Sequence, residues 1–191
     1  EIKLKLDYEN SRKISYIHRI FNQLFYGPKL YQEIFNEKSQ FSEKPLIDLD
    51  NIVLDDNLMS KLKTRFGNKI STVTGRGNFA FSYSMKNFLN NFDIKNSIFL
   101  EDRPLNLAKP NPKSLIESIS GINSKCSLYI GDSMEDLMMV EKCKQHGYDV
   151  SFCGIYGSSD EPELKYELFQ KNKASFILES IRELPKALNL V

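Results

Sequence analysis

The residues best suited to chemistry are two carboxylates four positions apart, Asp132 and Asp136, directly behind Leu128-Tyr129-Ile130-Gly131. A short apolar run closing in glycine reads as a buried parallel strand, and the polar residues after it suit a loop entering a helix. Asp132 then stands at the carboxyl end of the strand, where open α/β sheets bind their ligands. Asp136 lies one helical turn on and can lean back toward it. Like charges repel, so two carboxylates at one strand tip call for a counter-charge. A hard divalent cation, Mg²⁺, supplies one. The competing reading is an ordinary helix start, because Asp is favoured at N-caps and in first turns.

Further positions extend the set. Asp7 follows Ile2-Lys3-Leu4-Lys5-Leu6, which alternates like a strand, and Thr74-Gly75-Arg76 follows an apolar run that begins at Ile70. Lys109 lies in the long segment 101–111. A carboxylate nucleophile, a hydroxyl, a cation and a metal-binding pair are the parts of a phosphoryl-transfer site. Lys109 would neutralise charge on the phosphoryl group, and Thr74 would donate a hydrogen bond to it. Gly75 and Gly77 allow a tight turn, and Arg76 faces the substrate or pairs with a neighbouring acid. Each also has a plain reading: loop lysines are usually solvated, and Thr is simply a good strand residue.

The elements that must position these residues follow from periodicity. Helices are predicted over 15–26, with Ile17, Ile20, Phe21, Leu24 and Phe25 on one face, and over 29–37, separated by Gly27-Pro28. Another runs from Asp56 to Phe66 and closes at Gly67. Strands at 70–74, 97–100, 126–130, 148–153 and 174–177 alternate with helices at 79–92, 112–119, 134–146 and 180–188. Residues 154–160 read as a Gly/Ser-rich loop, and no element is assigned to the acidic and aromatic segment behind it. This alternation makes an α/β protein with a parallel sheet covered on both faces. The two early helices interrupt it as a small insertion after the first strand.

Composition bounds the function. The chain has 191 residues, 41% of them hydrophobic and 27% charged, with a formal net charge of +1. That fits one ordinary globular domain with room for a small insertion, and it offers no electrostatic case for nucleic acid or an anionic membrane. No run approaches the length of a membrane span, and no signal-peptide pattern is present, so the expected location is the cytoplasm. Cys126, Cys143 and Cys153 have neither disulfide nor metal-site spacing and read as reduced core thiols. His18 and His146 read as surface or helix-face residues. The chain opens at Glu1 rather than Met, which suggests that a few residues precede it.

The order Thr74-Gly75-Arg76, Lys109-Pro110-Asn111-Pro112 and Gly131-Asp132-Ser133-Met134-Glu135-Asp136 resembles the haloacid dehalogenase (HAD) superfamily of phosphatases. Glu101-Asp102-Arg103-Pro104 adds a likeness to a small phosphatase-like branch of its subfamily I. The resemblance covers residues 70–153 well and the rest in outline. It implies a Rossmann-like, HAD-like core over 1–12 and 50–191 with a small helical cap over 13–49. Asp132 would be a metal ligand and Asp136 its helical partner, direct or through water. Lys109 would be the charge-neutralising lysine and Thr74, with Gly75 and Arg76, the phosphate-binding turn. The family's first motif is a strand ending in Asp-x-Asp, whose first Asp attacks phosphorus and binds Mg²⁺ and whose second is general acid and base. Asp7 fits the first role, and Glu9 stands where the second Asp is expected. Glu is one methylene longer, and a misplacement of about an ångström can cost roughly 100-fold. A literal Asp48-Leu49-Asp50 also exists, but Lys44-Pro45 leave almost no strand before it.

The implied activity is Mg²⁺-dependent hydrolysis of a small phosphomonoester through an aspartyl-phosphate. The alternative is a catalytically weakened HAD-fold protein that binds a partner or a phosphorylated ligand. Tyr16, His18, Arg19, Tyr26 and Tyr31 are candidate cap contacts, packing residues or surface residues alike. The assembly would be a monomer or a homodimer.

Overall fold

A computed structural model describes residues 16–190, so the expected strand 2–6 and the candidates Asp7 and Glu9 lie outside the described residues. The chain divides into two compact units: one runs up to Ile52 and also takes Arg76–Lys86, and the other comprises Val53–Gly75 and the chain from Asn87 on.

The first unit is helical. Helix α1 (Tyr16–Phe35) is broken at Gly27, whose φ of 67° and ψ of 174° leave the helical region. This is the break that Gly27-Pro28 predicts. The inward face differs from the expected one, because Asn22, Gln23, Tyr26 and Tyr31 are buried while Ile17 and Phe21 are exposed. Gln23 tolerates burial because its Oε1 accepts from the Gln40 amide at 2.6 Å and from Ser39 Oγ at 3.4 Å. Tyr26, Tyr31, Ile47 and Ala80 form the core, so two of the candidate cap contacts are packing residues. Arg19 is paired with Glu37 at 2.8 Å, and Tyr16 is exposed. Helix α2 (Asp56–Phe66), which belongs to the other unit, is capped by Asp55 through a 2.9 Å bond from the Leu58 amide.

The segment predicted as one helix over 79–92 yields only α3 (Asn78–Ser84), which packs in the first unit, and a 3₁₀ turn at Leu89–Asn91. Ser and Asn side chains compete for backbone hydrogen bonds, and this stretch is rich in both.

The second unit holds the sheets. β1 (Val73–Thr74) pairs in parallel with β2 (Ile98–Phe99); both are shorter than predicted, and β2 ends where Leu100–Asp102 turns into a 3₁₀ helix. Next come α4 (Lys113–Gly121), β3 (Ser127–Gly131), α5 (Met134–Gln145) and β4 (Val150–Ile155). The chain continues with α6 (Pro162–Lys171), β5 (Phe176–Leu178) and α7 (Leu184–Ala187). β3, β4 and β5 lie side by side in that order, all parallel, with Gly131 opposite Gly154 and Cys153 opposite Phe176.

Alternation along the strands separates two packed layers. Tyr129 and Phe152 join Leu115, Ile119, Leu137 and Val140 on one side, while Leu128, Ile130 and Cys153 join Leu58, Leu62 and Leu184 on the other. Helices thus cover both faces, the arrangement of a Rossmann-like α/β fold. β4 is the interior strand, and β3 is half-buried at the edge of its sheet among the described residues. Among the described residues, Ile70–Val73 and Cys126–Ile130 both line a cavity of about 870 Å³. Helix α6 escaped the periodicity because Phe169 alone of its residues is buried, edge-on to Phe152 at 5.5 Å. Pro162 in its first turn was the available signal. No helix among the described residues is long and apolar enough to cross a membrane.

Candidate active site

The carboxyl end of β3 is built around Asp136. Ser133 and Asp136 form a reciprocal cap on α5: the Asp136 amide donates to Ser133 Oγ at 3.1 Å, and the Ser133 amide donates to Asp136 Oδ2 at 3.2 Å. Ser133 Oγ at 2.8 Å and the Asp132 amide at 3.3 Å also serve Oδ2. The strand's last residue has to be glycine, because a Cβ at Gly131 would lie 2.6 Å from the Asp136 side chain.

The other oxygen takes the cation. Lys109 Nζ stands 2.7 Å from Asp136 Oδ1, with the Lys109 side chain 18% and the Asp136 side chain 4% exposed. The loop that delivers Lys109 is tied down by Ser114 Oγ on the Leu107 carbonyl at 2.9 Å and Asn111 Nδ2 on the Asn106 carbonyl at 2.6 Å. Burial pushes the Asp136 carboxyl up, but the Lys109 ammonium and the bonds from Lys109, Ser133 and Tyr129 outweigh it, and it stays below the usual range. The helix start favours the same anionic form.

Tyr129 was not among the sequence's candidates. Its hydroxyl lies 3.0 Å from Asp136 Oδ1 and 3.0 Å from the Val73 carbonyl, and its ring centroid is 5.7 Å from Lys109 Nζ. The only hint in the sequence was a polar tip within an otherwise apolar run. Burial first, and then the Asp136 and Asp132 charges, push its phenol far above the ordinary value, so it remains a donor.

Asp132 is exposed, and among the described residues nothing donates to its carboxylate. Thr74 ends β1, next to the Val73 carbonyl that Tyr129 reaches. Arg76 belongs to the helical unit, where its guanidinium meets both oxygens of Asp50, Nη2 reaching Oδ1 at 2.8 Å. Ser84 Oγ adds a 2.6 Å bond to Asp50. Of the two readings for Arg76, pairing with a neighbouring acid is the one this contact satisfies. Asp48 lies in the 3₁₀ turn Leu46–Leu49, not at a strand end, and accepts from the Tyr83 hydroxyl at 2.9 Å.

Among the described residues no group of three or more His, Cys, Asp or Glu is arranged to hold a metal ion. Asp132 offers an open carboxylate that suits a hard cation, whereas both oxygens of Asp136 are already engaged. The cysteines supply no activated thiolate. Burial raises Cys143 to about 11 and Cys153 to about 12. Cys126, expected in the core, is exposed instead, because it sits just before the first residue of β3.

No protein-family model and no curated protein matches the sequence. Solved structures do. An X-ray structure of the Northeast Structural Genomics Consortium target ZR25 superposes with a TM-score of 0.72 at 20% identity, covering 91% of this chain and 53% of that one. The phosphatase Tt82 from Thermococcus thioreducens superposes with a TM-score of 0.56 at 23% identity, covering 73% of this chain and 51% of that one. The chain therefore spans about half the length of each. At these identities the likeness is one of fold, and it places the chain among Rossmann-like α/β proteins.

Proposed function

We propose that this chain carries out Mg²⁺-dependent hydrolysis of a small phosphomonoester in the manner of the haloacid dehalogenase superfamily. The observation that carries the reading is the buried Lys109–Asp136 pair beside the open Asp132 carboxylate at the end of a parallel strand. The named activity of the structural neighbour Tt82 points the same way. Asp7 is the proposed nucleophile, attacking phosphorus to give an aspartyl-phosphate. Glu9 is the proposed acid and base, protonating the leaving oxygen and then deprotonating the attacking water. Lys109 and the Thr74 hydroxyl would hold the equatorial phosphoryl oxygens, with Gly75 leaving room for them. Asp7 and Asp132 would hold Mg²⁺, with Asp136 as their helical partner, directly or through water. The cation would neutralise charge on the phosphoryl group. The substrate, a small phosphorylated molecule, would meet a cytoplasmic enzyme acting as a monomer or homodimer.

A second reading has its own support. Glu9 stands where the family's second Asp is expected, and this departure favours a binding or regulatory module with weakened turnover.

Phosphate release from p-nitrophenyl phosphate and a phosphomonoester panel, with Mg²⁺ or EDTA, separates the two. Asp7→Asn and Asp48→Asn run beside the parent. Metal-dependent turnover lost only in Asp7→Asn is the expected result. Loss only in Asp48→Asn would move the nucleophile, and a folded parent inactive across the panel would favour the binding module.

A further inference from the structure

Tyr129 is half-buried in a cluster where a hydroxyl proton is scarce. A phenol carries one proton, and two acceptors face this one at 3.0 Å, Asp136 Oδ1 and the Val73 carbonyl. A charge-assisted bond to a carboxylate is about twice as strong as one to a neutral carbonyl. The proton therefore points to Asp136 Oδ1, the same oxygen that receives the Lys109 ammonium at 2.7 Å. Every other donor to this carboxylate among the described residues acts on Oδ2, from Ser133 and the Asp132 amide. On Oδ1, Tyr129 and Lys109 share one acceptor.

We propose that Tyr129 is a positioning residue for Lys109: its hydroxyl shares Asp136 Oδ1 and so sets how much of the ammonium is left for a phosphoryl oxygen. This rests on the phosphatase reading above. Nζ has three donors, and the more tightly Oδ1 draws it in, the less it reaches toward a ligand. Without the hydroxyl, Lys109 is the sole donor to Oδ1 and is pulled deeper. The Tyr129 ring, 5.7 Å from Nζ, bounds the ammonium's position on another side, and a Phe ring keeps that boundary.

The test is a double-mutant cycle of Tyr129→Phe and Lys109→Met, read as kcat and KM on p-nitrophenyl phosphate. Tyr148→Phe is the control, removing a hydroxyl 3.3 Å from Ser120 Oγ. Phe fills the space of Tyr, and thermal melts verify that each variant folds. Tyr129→Phe is expected to lower kcat about tenfold with KM within about twofold, the mark of an interaction made in the transition state. In the Lys109→Met background it is expected to cost nothing further, and Tyr148→Phe is expected to match the parent. Additive losses, or an unchanged kcat in Tyr129→Phe, would overturn the inference while the phosphatase reading stands. A folded parent without turnover would overturn both, and it shows in the parent's own measurement rather than in the cycle.

Discussion

Lys109 Nζ and Asp136 Oδ1 meet at 2.7 Å, one delivered by a loop and the other by the first turn of α5. Neither side chain is placed by its own element alone. The ammonium neutralises a carboxylate that the helix start and the serine cap have already oriented, and a neutralised buried pair is costly to halve. Lys109→Met should therefore destabilise the fold by about 2 to 4 kcal/mol at pH 7.

The pH dependence of that loss has a definite sign. The Asp136 carboxyl lies below its ordinary value in the folded chain, so its stabilising contribution is present above the unfolded value of about 3.9 and is lost as pH falls through the lower folded one. In Lys109→Met the buried carboxylate escapes its penalty by taking up a proton. Urea unfolding at pH 7 and pH 4.5 should show the gap between variant and parent shrinking in acid; a gap that widens would contradict the ion pair.

Gly131→Ala is expected to move Asp136. Its Cβ would arrive 2.6 Å from Asp136 Cβ, Cγ and Oδ2, inside any tolerable contact. Overpacking of this kind costs about 1 to 3 kcal/mol. Because the displaced group is the partner of Lys109, the proposed phosphomonoester hydrolysis should fall more steeply than stability. Chemical denaturation and kcat measured on one preparation will show whether it does.

Arg76→Lys is expected to loosen the helical unit. The Arg76 guanidinium, joined by Ser84, holds the Asp50 carboxyl below its usual range against an opposing push from burial. The Arg76 side chain is 41% exposed, so solvent screening limits the loss to about 0.5 to 1 kcal/mol. The contribution is present at neutral pH and fades as pH falls through the lowered Asp50 value. Limited proteolysis at pH 7 should cut the variant faster, with the first cleavages between residues 16 and 52.

Thiol labelling will report on the sheet. Cys126 is exposed, whereas Cys143 and Cys153 are buried. A maleimide should take one equivalent in the native protein and the remaining two only on unfolding, as counted by intact mass. Two fast equivalents would mean that the layer around Cys143 or Cys153 opens readily.

The sequence carried those features that depend on near neighbours. The apolar run before Gly131, the carboxylates a helical turn apart and the break at Gly27-Pro28 are local patterns, and each has its local consequence in the structure. Parallel pairing of β3, β4 and β5 followed from strands separated by helices, because such connections leave no room for hairpins. Tertiary structure decided what depends on partners remote in the chain. Asp50 and Arg76 met across 26 residues, and Tyr129 reached Val73 across 56. Gln23 turned inward because Gln40 was there to meet it. Periodicity records which side of an element is apolar; it does not record which distant polar group will satisfy a buried one. That is why Lys109, Asp132 and Asp136 could be proposed from sequence, whereas Tyr129, which meets Asp136 at a helix start, Lys109 in a loop and Val73 in a strand, could not.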